Sequence, residues 1–193
     1  PYTEDLMGMP VINIRRVPLN NMLNAVAKRC VDIFGALVAI ILFSPVMLVT
    51  SIIIKVTSPG PLIFKQERIG KHNRPFYMYK FRSMVVQDEK DEKKGWTTKN
   101  DPRVTPIGRF IRKTSIDELP QLFNILKGDM SIVGPRPALW NQFDLIALRD
   151  ENGSNSVRPG LTGWAQVNGR DELPIDVKAG FDGEYIKKMS IIL

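Results

Sequence analysis

The chain has 193 residues, of which 44% are hydrophobic and 24% are charged, so it is long enough for one domain of ordinary size with a real core. Its net charge of +7 indicates an anionic partner, such as nucleic acid, anionic lipid or a phosphorylated substrate. The single cysteine, Cys30, excludes an internal disulfide and favours a reducing compartment.

The first 21 residues form a mixed segment that is interrupted by Pro10 and Pro18. Prolines at such positions interrupt regular elements. We predict an irregular N-terminal extension or linker over residues 1–21, without chemistry of its own.

Residues 22–58 contain a long apolar block, and its most apolar part, residues 31–54, would make a straight helix about 36 Å long. That length is sufficient to cross a bilayer core of about 30 Å, so a transmembrane helix is the first interpretation. One opposing feature is Ser44-Pro45 in the middle of the run, because proline kinks a helix.

The second opposing feature is the distribution of cations around the block. They are Lys28 and Arg29 before it, and Lys55, Lys65, Arg68 and Lys71 after it. A spanning helix shows cationic asymmetry across the membrane, which this pattern lacks. Two alternatives stay open on these grounds, a kinked span and a broken re-entrant hairpin with both ends on the cytoplasmic face; a buried soluble core helix is less favoured.

Two runs rich in β-favouring residues follow, at residues 62–70 and 74–84, and their partial alternation predicts a β-hairpin. Lys80 and Arg82 stand two residues apart in the second run, so they would share one face of that strand. A solvated basic face is the simpler interpretation until another feature requires an anion there. The next stretch, residues 87–105, is highly charged with little periodicity, which predicts a mobile surface loop.

Residues 112–137 carry two adjacent carboxylates, Asp117 and Glu118, beside flanking cations and a Gly-Pro-Arg-Pro turn. Ser115 and Glu118 fit a capping box, in which Glu118 has only a structural role. Pro120 argues against that register, and a helix that begins nearer Leu119, with the two carboxylates at its N-terminal end, is equally compatible. In both registers the carboxylates lie at a helix N-terminus, where the dipole and the unpaired N–H groups also attract phosphate.

Neighbouring residues on a helix point about 100° apart, so Asp117 and Glu118 do not share a proton and suit different tasks. One would be a nucleophile and the other a ligand of Mg²⁺, which takes few protein carboxylates and completes its shell with phosphate oxygens and water. Arginines beside rigid glycine- and proline-rich turns would then clamp phosphate oxygens. These arginines are Arg112, Arg136, Arg158 and Arg170.

The remaining segments are two predicted helices and a glycine-rich stretch. The composition of residues 157–170 favours close backbone approach. A helix is predicted after Pro137, ending near Gly153, and another after Pro174 that is incomplete at the C-terminus. The apolar stripe of the first helix would be Leu139, Phe143, Ile146 and Ala147.

Three motifs occur in order along the chain: KFRSM at residues 80–84, RKTSIDELPQLFNILKGDMSIVGPRP at residues 112–137 and VRPGLTGWAQVNGR at residues 157–170. Together with the apolar segment broken by Ser-Pro, they resemble the bacterial sugar transferase family, the monotopic phosphoglycosyl transferases. The resemblance extends over residues 24–187. It implies transfer of a sugar-1-phosphate from a UDP-sugar to undecaprenyl phosphate, a polyprenyl phosphate, with release of UMP.

The resemblance also implies roles for single residues. Asp117 would attack the donor phosphate and form a covalent phosphosugar intermediate, and Glu118 would help to place Mg²⁺. Contacts to phosphate or nucleotide are implied for Lys80, Arg82, Arg112, Arg136, Arg158 and Arg170. Ser44 and Pro45 match the break of the family's re-entrant helix, which favours the hairpin and keeps the active site on the cytoplasmic face of the bacterial inner membrane.

The predicted fold is α+β and mostly helical, with an extension (1–21), a re-entrant membrane helix-hairpin (22–58) and a cytoplasmic catalytic domain (59–193). The alternative is a membrane-anchored basic module that binds nucleic acid or lipid without catalysis. A nucleic-acid interface would need aromatics interleaved along a basic stripe, whereas the cations here cluster at the membrane flank and around two carboxylates. The expected partners are a UDP-sugar, polyprenyl phosphate and membrane lipid; the donor sugar and a homodimer stay open.

Overall fold

The computed structural model describes residues 2–6, 9–13, 22–85, 101–169 and 173–189. Over these ranges the chain is mostly helical, with three two-stranded sheets. The strands are β1 (Tyr2–Leu6), β2 (Met9–Asn13), β3 (Ile63–Ile69), β4 (Pro75–Phe81), β5 (Ser131–Val133) and β6 (Gly160–Thr162). The α-helices are α1 (Met22–Thr57), α2 (Pro106–Lys113), α3 (Gln121–Lys127), α4 (Phe143–Asn152), α5 (Trp164–Val167) and α6 (Ile175–Lys188). The predicted charged loop falls mainly on residues 86–100, which lie outside the described ranges.

The N-terminal segment contains a β-hairpin, so the prediction of an irregular extension is wrong for β1 and β2. The two strands are antiparallel, with Tyr2 opposite Asn13 and Leu6 opposite Met9. Two residues separate them in the sequence, which is a connection length that favoured hairpins use. Pro10 indicated an interruption, but a two-stranded sheet has only edge strands, and edge strands tolerate proline.

α1 is one 36-residue helix with Pro45 inside it. Ser44, directly before the proline, donates from Oγ to the carbonyl oxygen of Ile41 at 2.9 Å. The chain is thus helical across the predicted break at Ser44-Pro45, because a proline inside a helix can bend the axis without ending the helix. The re-entrant path of this helix remains a prediction. By length and composition α1 is sufficient to cross a membrane, and only 11% of its most apolar window is buried by the protein. A core helix of a soluble protein would be mostly enclosed.

A buried carboxylate joins the first turns of α1 to β5. Oδ1 of Asp32 accepts hydrogen bonds from Lys28 Nζ at 2.7 Å, from Ser131 Oγ at 3.0 Å and from the backbone N–H of Ile132 at 3.0 Å. Arg29 joins the same end of α1 to α3, because its guanidinium donates to two carbonyl oxygens, at 2.6 and 2.9 Å, in the last turn of that helix. The cations before the apolar block, predicted from the sequence as a membrane flank, therefore also bind the rest of the protein.

Two hydrophobic clusters attach α1 on opposite sides of Pro45. Ala36 belongs to a cluster with Met78 of β4 and with apolar residues of α3. Ile54 belongs to a second cluster, with Phe81 of β4 and Ile111 of α2. The same short strand therefore takes part in both contacts.

β3 and β4 form the predicted antiparallel hairpin, which a short 3₁₀ turn at Lys71–Asn73 connects. Arg82 follows β4 directly and is buried. Its guanidinium donates to the carbonyl oxygens of Ser58 and Pro59, at 2.6 Å each, and so fixes the segment that leaves α1. The hairpin is thus bonded to the C-terminal end of α1.

α4 and α6 occur where helices were predicted, and α6 begins directly after Pro174. The predicted apolar stripe of α4 is confirmed for Ile146, which packs against the core, but it is wrong for Phe143, which is 68% exposed, and it omits Leu145 and Arg149, which are buried. An arginine is stable on the buried face because Asp182 of α6 neutralises its charge.

Candidate active site

The two carboxylates lie in a short 3₁₀ turn, Ile116–Glu118, between α2 and α3. Ser115 precedes this turn in the left-handed conformation, with φ 58 and ψ 16, and its side chain makes no capping hydrogen bond. The capping box is therefore wrong, because it needs an extended N-cap residue whose oxygen accepts from the first turn. α3 begins at Gln121, two residues after the predicted start near Leu119, so the later of the two registers is the one that forms.

Glu118 lies between two cations. Its Oε1 accepts a hydrogen bond from Lys80 Nζ at 2.7 Å and is 3.6 Å from Nη2 of Arg136. Burial disfavours ionisation of Glu118, but the charges of Lys80 and Arg136 outweigh burial and hold its pKa below the ordinary value of glutamate. Glu118 is therefore an anion at neutral pH.

Asp117 has a different environment, although it is the neighbouring residue. It is 7% exposed, and among the described residues no side chain donates a hydrogen bond to its carboxylate. Burial raises the pKa of Asp117, the charges of Lys80 and Arg112 oppose that increase, and Glu118 adds to it. Asp117 is thus the more basic of the two carboxylates, which suits separate tasks.

Arg112, near the C-terminal end of α2, lies within electrostatic reach of the site. It donates from Nε to Oγ of Ser83 at 2.7 Å, and its charge lowers the pKa of Asp117. Arg112 also acts on the carboxylate of Asp101. The hydrogen bond from Arg103, with a smaller contribution from the charge of Arg112, lowers the pKa of Asp101 to about 2. Ser83, within the KFRSM motif, was not predicted as a site residue, and the structure gives it the task of orienting Arg112.

The Gly-Pro-Arg-Pro turn at residues 134–137 presents Arg136 from a fixed backbone. Pro135 and Pro137 restrict φ on both sides of the arginine. Each carbonyl oxygen from residue 135 to residue 138 accepts a hydrogen bond from another segment. The donors, in chain order of those carbonyls, are Gly160 N (2.8 Å), Arg149 Nη1 (2.9 Å), Arg68 Nη1 (3.2 Å) and Ile69 N (2.9 Å). The Arg136 side chain therefore approaches Glu118 from a backbone with little freedom.

The glycine-rich segment packs against that turn backbone to backbone, which confirms the close approach predicted from its composition. A Cβ atom on Gly160 would lie 2.1 Å from the backbone nitrogen of Gly134, and one on Gly163 would lie 2.1 Å from its carbonyl oxygen. No side chain fits at these distances, so glycine is required at both positions. These glycines are explained by contact with the turn.

The predicted phosphate contacts do not all meet at the carboxylates. Arg82 is engaged at the end of α1, as described above. Arg158 donates from Nε to the carbonyl oxygen of Gly128 at 2.8 Å, at the end of α3 opposite to the carboxylates, and α3 is about 10 Å long. Arg170 lies outside the described residues. Of the six predicted contacts, the structure brings Lys80, Arg112 and Arg136 to the carboxylates.

A buried ion pair that was not predicted from the sequence, Arg149 with Asp182, is hydrogen-bonded to the Gly-Pro-Arg-Pro turn. Nε and Nη2 of Arg149 donate to Oδ2 of Asp182 at 2.9 and 2.6 Å, and Nη1 donates to the carbonyl oxygen of Arg136 at 2.9 Å. Burial raises the pKa of Asp182, and the charge of Arg149 opposes that increase. The only sequence signal for this pair was an arginine one helical turn after Leu145.

The donor set at the carboxylates suits a hard divalent cation. Mg²⁺ usually binds one or two protein carboxylates and fills its other positions with phosphate oxygens and water. Asp117 and Glu118 supply such a pair, and the Asp117 carboxylate receives no side-chain hydrogen bond within the described ranges. The same part of the chain has no group of three or more histidine, cysteine, aspartate or glutamate side chains that would form an all-protein metal site. Bound Mg²⁺ would therefore need ligands from substrate or solvent.

Comparison with known proteins adds an independent finding. A family model described as bacterial sugar transferase matches residues 23–193. The UDP-glucose:undecaprenyl-phosphate glucose-1-phosphate transferase of Escherichia coli (strain K12) is 42% identical over 195 residues, which cover 97% of this chain and 42% of that relative. The UDP-N-acetylgalactosamine-undecaprenyl-phosphate N-acetylgalactosaminephosphotransferase of Aeromonas hydrophila is 47% identical over 175 residues, which cover 88% of this chain and 41% of that relative.

A shorter relative matches over most of its own length. It is the uncharacterized sugar transferase EpsL of Bacillus subtilis (strain 168), 42% identical over 168 residues, which cover 87% of this chain and 81% of that relative. By contrast, the chain spans about two fifths of the length of the two relatives named for a reaction.

Proposed function

The chain belongs to the bacterial sugar transferase family, and from that premise we propose that it transfers a sugar-1-phosphate from a UDP-sugar to undecaprenyl phosphate, a polyprenyl phosphate, with release of UMP. The observation that carries the proposal is that the two adjacent carboxylates have unlike surroundings. Asp117 is buried and its pKa is raised, whereas Glu118 is an anion that lies between two cations. The relatives are named for different donors, one a UDP-hexose and one a UDP-N-acetylhexosamine, so the proposal covers UDP-sugars as a class. It would be the first membrane step of a bacterial glycan pathway.

The proposed reaction has two displacements at one phosphorus atom. An oxygen of the Asp117 carboxylate forms a bond to the phosphorus that carries the sugar, and the bond from that phosphorus to the bridging oxygen breaks, so that UMP leaves with the electron pair. An oxygen of the polyprenyl phosphate then forms a bond to the same phosphorus. The bond to Asp117 breaks, which restores the carboxylate and leaves the sugar on a polyprenyl diphosphate.

The other site residues bind and orient the anions in this scheme. Arg136 and Arg112 face the phosphates, and the guanidinium group suits paired contacts to phosphate oxygens. Lys80 favours the ionised form of Asp117, which the attack requires. Glu118 and Asp117 would hold Mg²⁺, which when bound reduces the repulsion between phosphate and carboxylate.

In the same proposal α1 is a re-entrant hairpin, and both its ends and the active site face the cytoplasm at the bacterial inner membrane. A straight helix would separate Ala36 from Ile54 by about 27 Å. Met78 and Phe81, which belong to the same two clusters, lie about 10 Å apart along β4. A bend at Pro45, between the two contacts, would reconcile these distances. The exposed apolar surface of α1 would then face lipid.

Cysteine labelling tests this topology. In a chain with Cys30→Ser, we expect the separate variants Met22→Cys and Pro61→Cys to react with an impermeant reagent from the cytoplasmic side of oriented vesicles. Pro61 is chosen over its neighbour Gly60, because Gly60 has φ 117 and a side chain there would be strained. Labelling of the two positions from opposite sides would restore the spanning helix.

The activity test is UMP release by the full chain in lipid, with Mg²⁺, undecaprenyl phosphate and a panel of UDP-sugars. We expect continuous release with one or more donors. Without undecaprenyl phosphate, release should stop after about one UMP per active site, because Asp117 stays modified. A folded chain that releases no UMP from any donor would contradict the proposal and favour a membrane-anchored binding module.

Substitution of Lys80 should move the acid limb of the pH profile. The charge of Lys80 lowers the pKa of both Asp117 and Glu118, so Lys80→Met raises both values and disfavours the ionised nucleophile. We therefore expect kcat/KM of the variant to fall at a higher pH than that of the unsubstituted chain. The control is Lys65→Met, an exposed lysine on the partner strand. An unchanged acid limb in an active Lys80 variant would contradict this assignment.

A further inference from the structure

The peptide unit that joins Arg136 to Pro137 has one hydrogen-bonding group. Proline has no N–H, so the carbonyl oxygen of Arg136 is the sole polar group available to fix the orientation of that unit. Within the described residues this oxygen accepts from Nη1 of Arg149 at 2.9 Å. Arg149 therefore acts on the backbone from which the Arg136 side chain extends.

Asp182 determines where Arg149 points. Two donors of the guanidinium, Nε and Nη2, are bound to the same oxygen of Asp182, at 2.9 and 2.6 Å. Because the guanidinium is rigid and planar, its remaining nitrogen, Nη1, is then directed to the turn at residues 134–137. A lysine in this place would be a point charge on a flexible stem and would not join both acceptors in the same way.

The protein encloses the pair almost completely, because Arg149 is 3% exposed and Asp182 is 1% exposed. A hydrophobic cluster of Ala138, Leu145 of α4 and Ala179 of α6 lies in the same part of the fold. Burying two charges carries a desolvation penalty, and well-packed apolar residues often replace such a pair without loss of stability. Stabilisation of the contact between α4 and α6 therefore does not explain why a charged pair is buried here. Apolar residues could stabilise that contact, but they could not donate the hydrogen bond to the carbonyl oxygen of Arg136.

We infer that Arg149 and Asp182 are positioning residues for Arg136, which hold its backbone from the α4–α6 side so that its guanidinium stays beside Glu118. The inference rests on the proposed function, because the consequence is measured as phosphotransfer. Neither residue touches the reacting groups in this assignment. Their effect on the reaction passes through Arg136 alone.

A double-mutant cycle in the full chain tests the inference. The first variant combines Arg149→Met with Asp182→Leu, which removes both buried charges together and leaves neither unpaired. The second is Arg136→Ala, and the third combines all three substitutions. Arg149→Lys, which keeps a charge opposite Asp182, is the replacement if the paired variant does not fold. Folded fraction is measured for each, and kcat and KM are determined by UMP release.

We expect the paired variant to lose about 100-fold in kcat/KM, the size of effect that a displacement of about 1 Å produces. Its loss should divide between kcat and KM in the same proportion as that of Arg136→Ala. Adding the pair to Arg136→Ala should lower kcat/KM by less than about twofold further, because the residue through which the pair acts is already absent.

The matched control is Asn152→Ala. Asn152 also joins α4 to α6, with Nδ2 donating to the carbonyl oxygen of Ala179 at 2.6 Å, without a bond to the turn. Its effect on kcat/KM should multiply with that of Arg136→Ala. The inference is overturned if the loss in kcat/KM of the Arg149–Asp182 variant also multiplies with that of Arg136→Ala. It is overturned as well if the Arg149–Asp182 variant is as active as the unsubstituted chain. Absence of UMP release by the unsubstituted chain would instead overturn the proposed function, and this inference with it.

Discussion

Asp117→Asn is expected to lower turnover by roughly 10⁴-fold or more, the scale on which removal of a nucleophile acts. Asparagine keeps the shape of the side chain but has no anionic oxygen to form a bond to phosphorus. The chain is incubated with a UDP-sugar and Mg²⁺ without acceptor, and its intact mass is measured together with UMP. The unsubstituted chain should gain the mass of a phosphosugar, and the variant should not. An adduct on the variant would exclude Asp117 as the nucleophile.

The same substitution should leave the fold as stable as before or more stable at neutral pH. Burial raises the pKa of Asp117, so the folded chain holds that proton more tightly than the unfolded chain. The free energy of unfolding therefore falls as pH rises from the ordinary aspartate pKa through the raised one, and at neutral pH a neutral amide removes that penalty. Asp144→Asn, at an exposed position in the first turn of α4, is the control and should retain activity. A thermal midpoint far below that of the control would show that lost activity reflects misfolding.

Local patterns predicted the elements of the site well. The alternation on both sides of residues 70–74 predicted the β3–β4 hairpin, which the register of Ile63 with Phe81 confirms. The glycines of residues 157–170 predicted close backbone approach, and a Cβ at Gly160 has no room. Both features depend on residues near one another in the chain or on the absence of a side chain, which are properties that a sequence displays directly.

The partners of the cations were not predictable in the same way. Arg82 and Lys80 stand two residues apart, yet Lys80 binds Glu118 while Arg82 binds backbone carbonyl oxygens at residues 58 and 59. Arginine carries five N–H donors, and these donate to backbone carbonyl oxygens as well as to phosphate oxygens. Which acceptor it meets is decided by tertiary packing, and Arg158 shows the same ambiguity by binding Gly128.

The buried face of α4 shows a limit of another kind. Its predicted stripe counted apolar residues alone, so it included Phe143, which is exposed, and omitted Arg149, which is buried. The period of the helix was correct, but the choice of face depended on Asp182, more than thirty residues away along the chain. A charged residue is buried only where a partner neutralises it, and no local pattern reveals that partner.

Glu118→Gln is expected to lower kcat/KM by roughly 10²- to 10³-fold, the loss typical of removing one preorganised electrostatic group. Glutamine would still accept a hydrogen bond from Lys80, but it would lose the charge that holds Lys80 and Arg136 in place and that favours Mg²⁺. The variant should therefore need more Mg²⁺ for half-maximal UMP release. The measurement is a titration of Mg²⁺ at fixed donor and acceptor, with Glu151→Gln on the exposed face of α4 as the control.

The free energy of unfolding of the Glu118→Gln chain distinguishes a role in catalysis from the role of a helix cap. A cap lost at Glu118 would reduce the free energy of unfolding by about 1 kcal/mol and leave kcat/KM nearly unchanged. The left-handed Ser115 without a capping bond argues against that outcome. A decrease of about 1 kcal/mol also leaves an ordinary domain almost fully folded, so a loss of 10²-fold or more in kcat/KM could not come from unfolding. A Glu118→Gln chain that is less stable yet fully active, with an unchanged requirement for Mg²⁺, would return Glu118 to a structural role and leave Asp117 as the sole functional carboxylate of the turn.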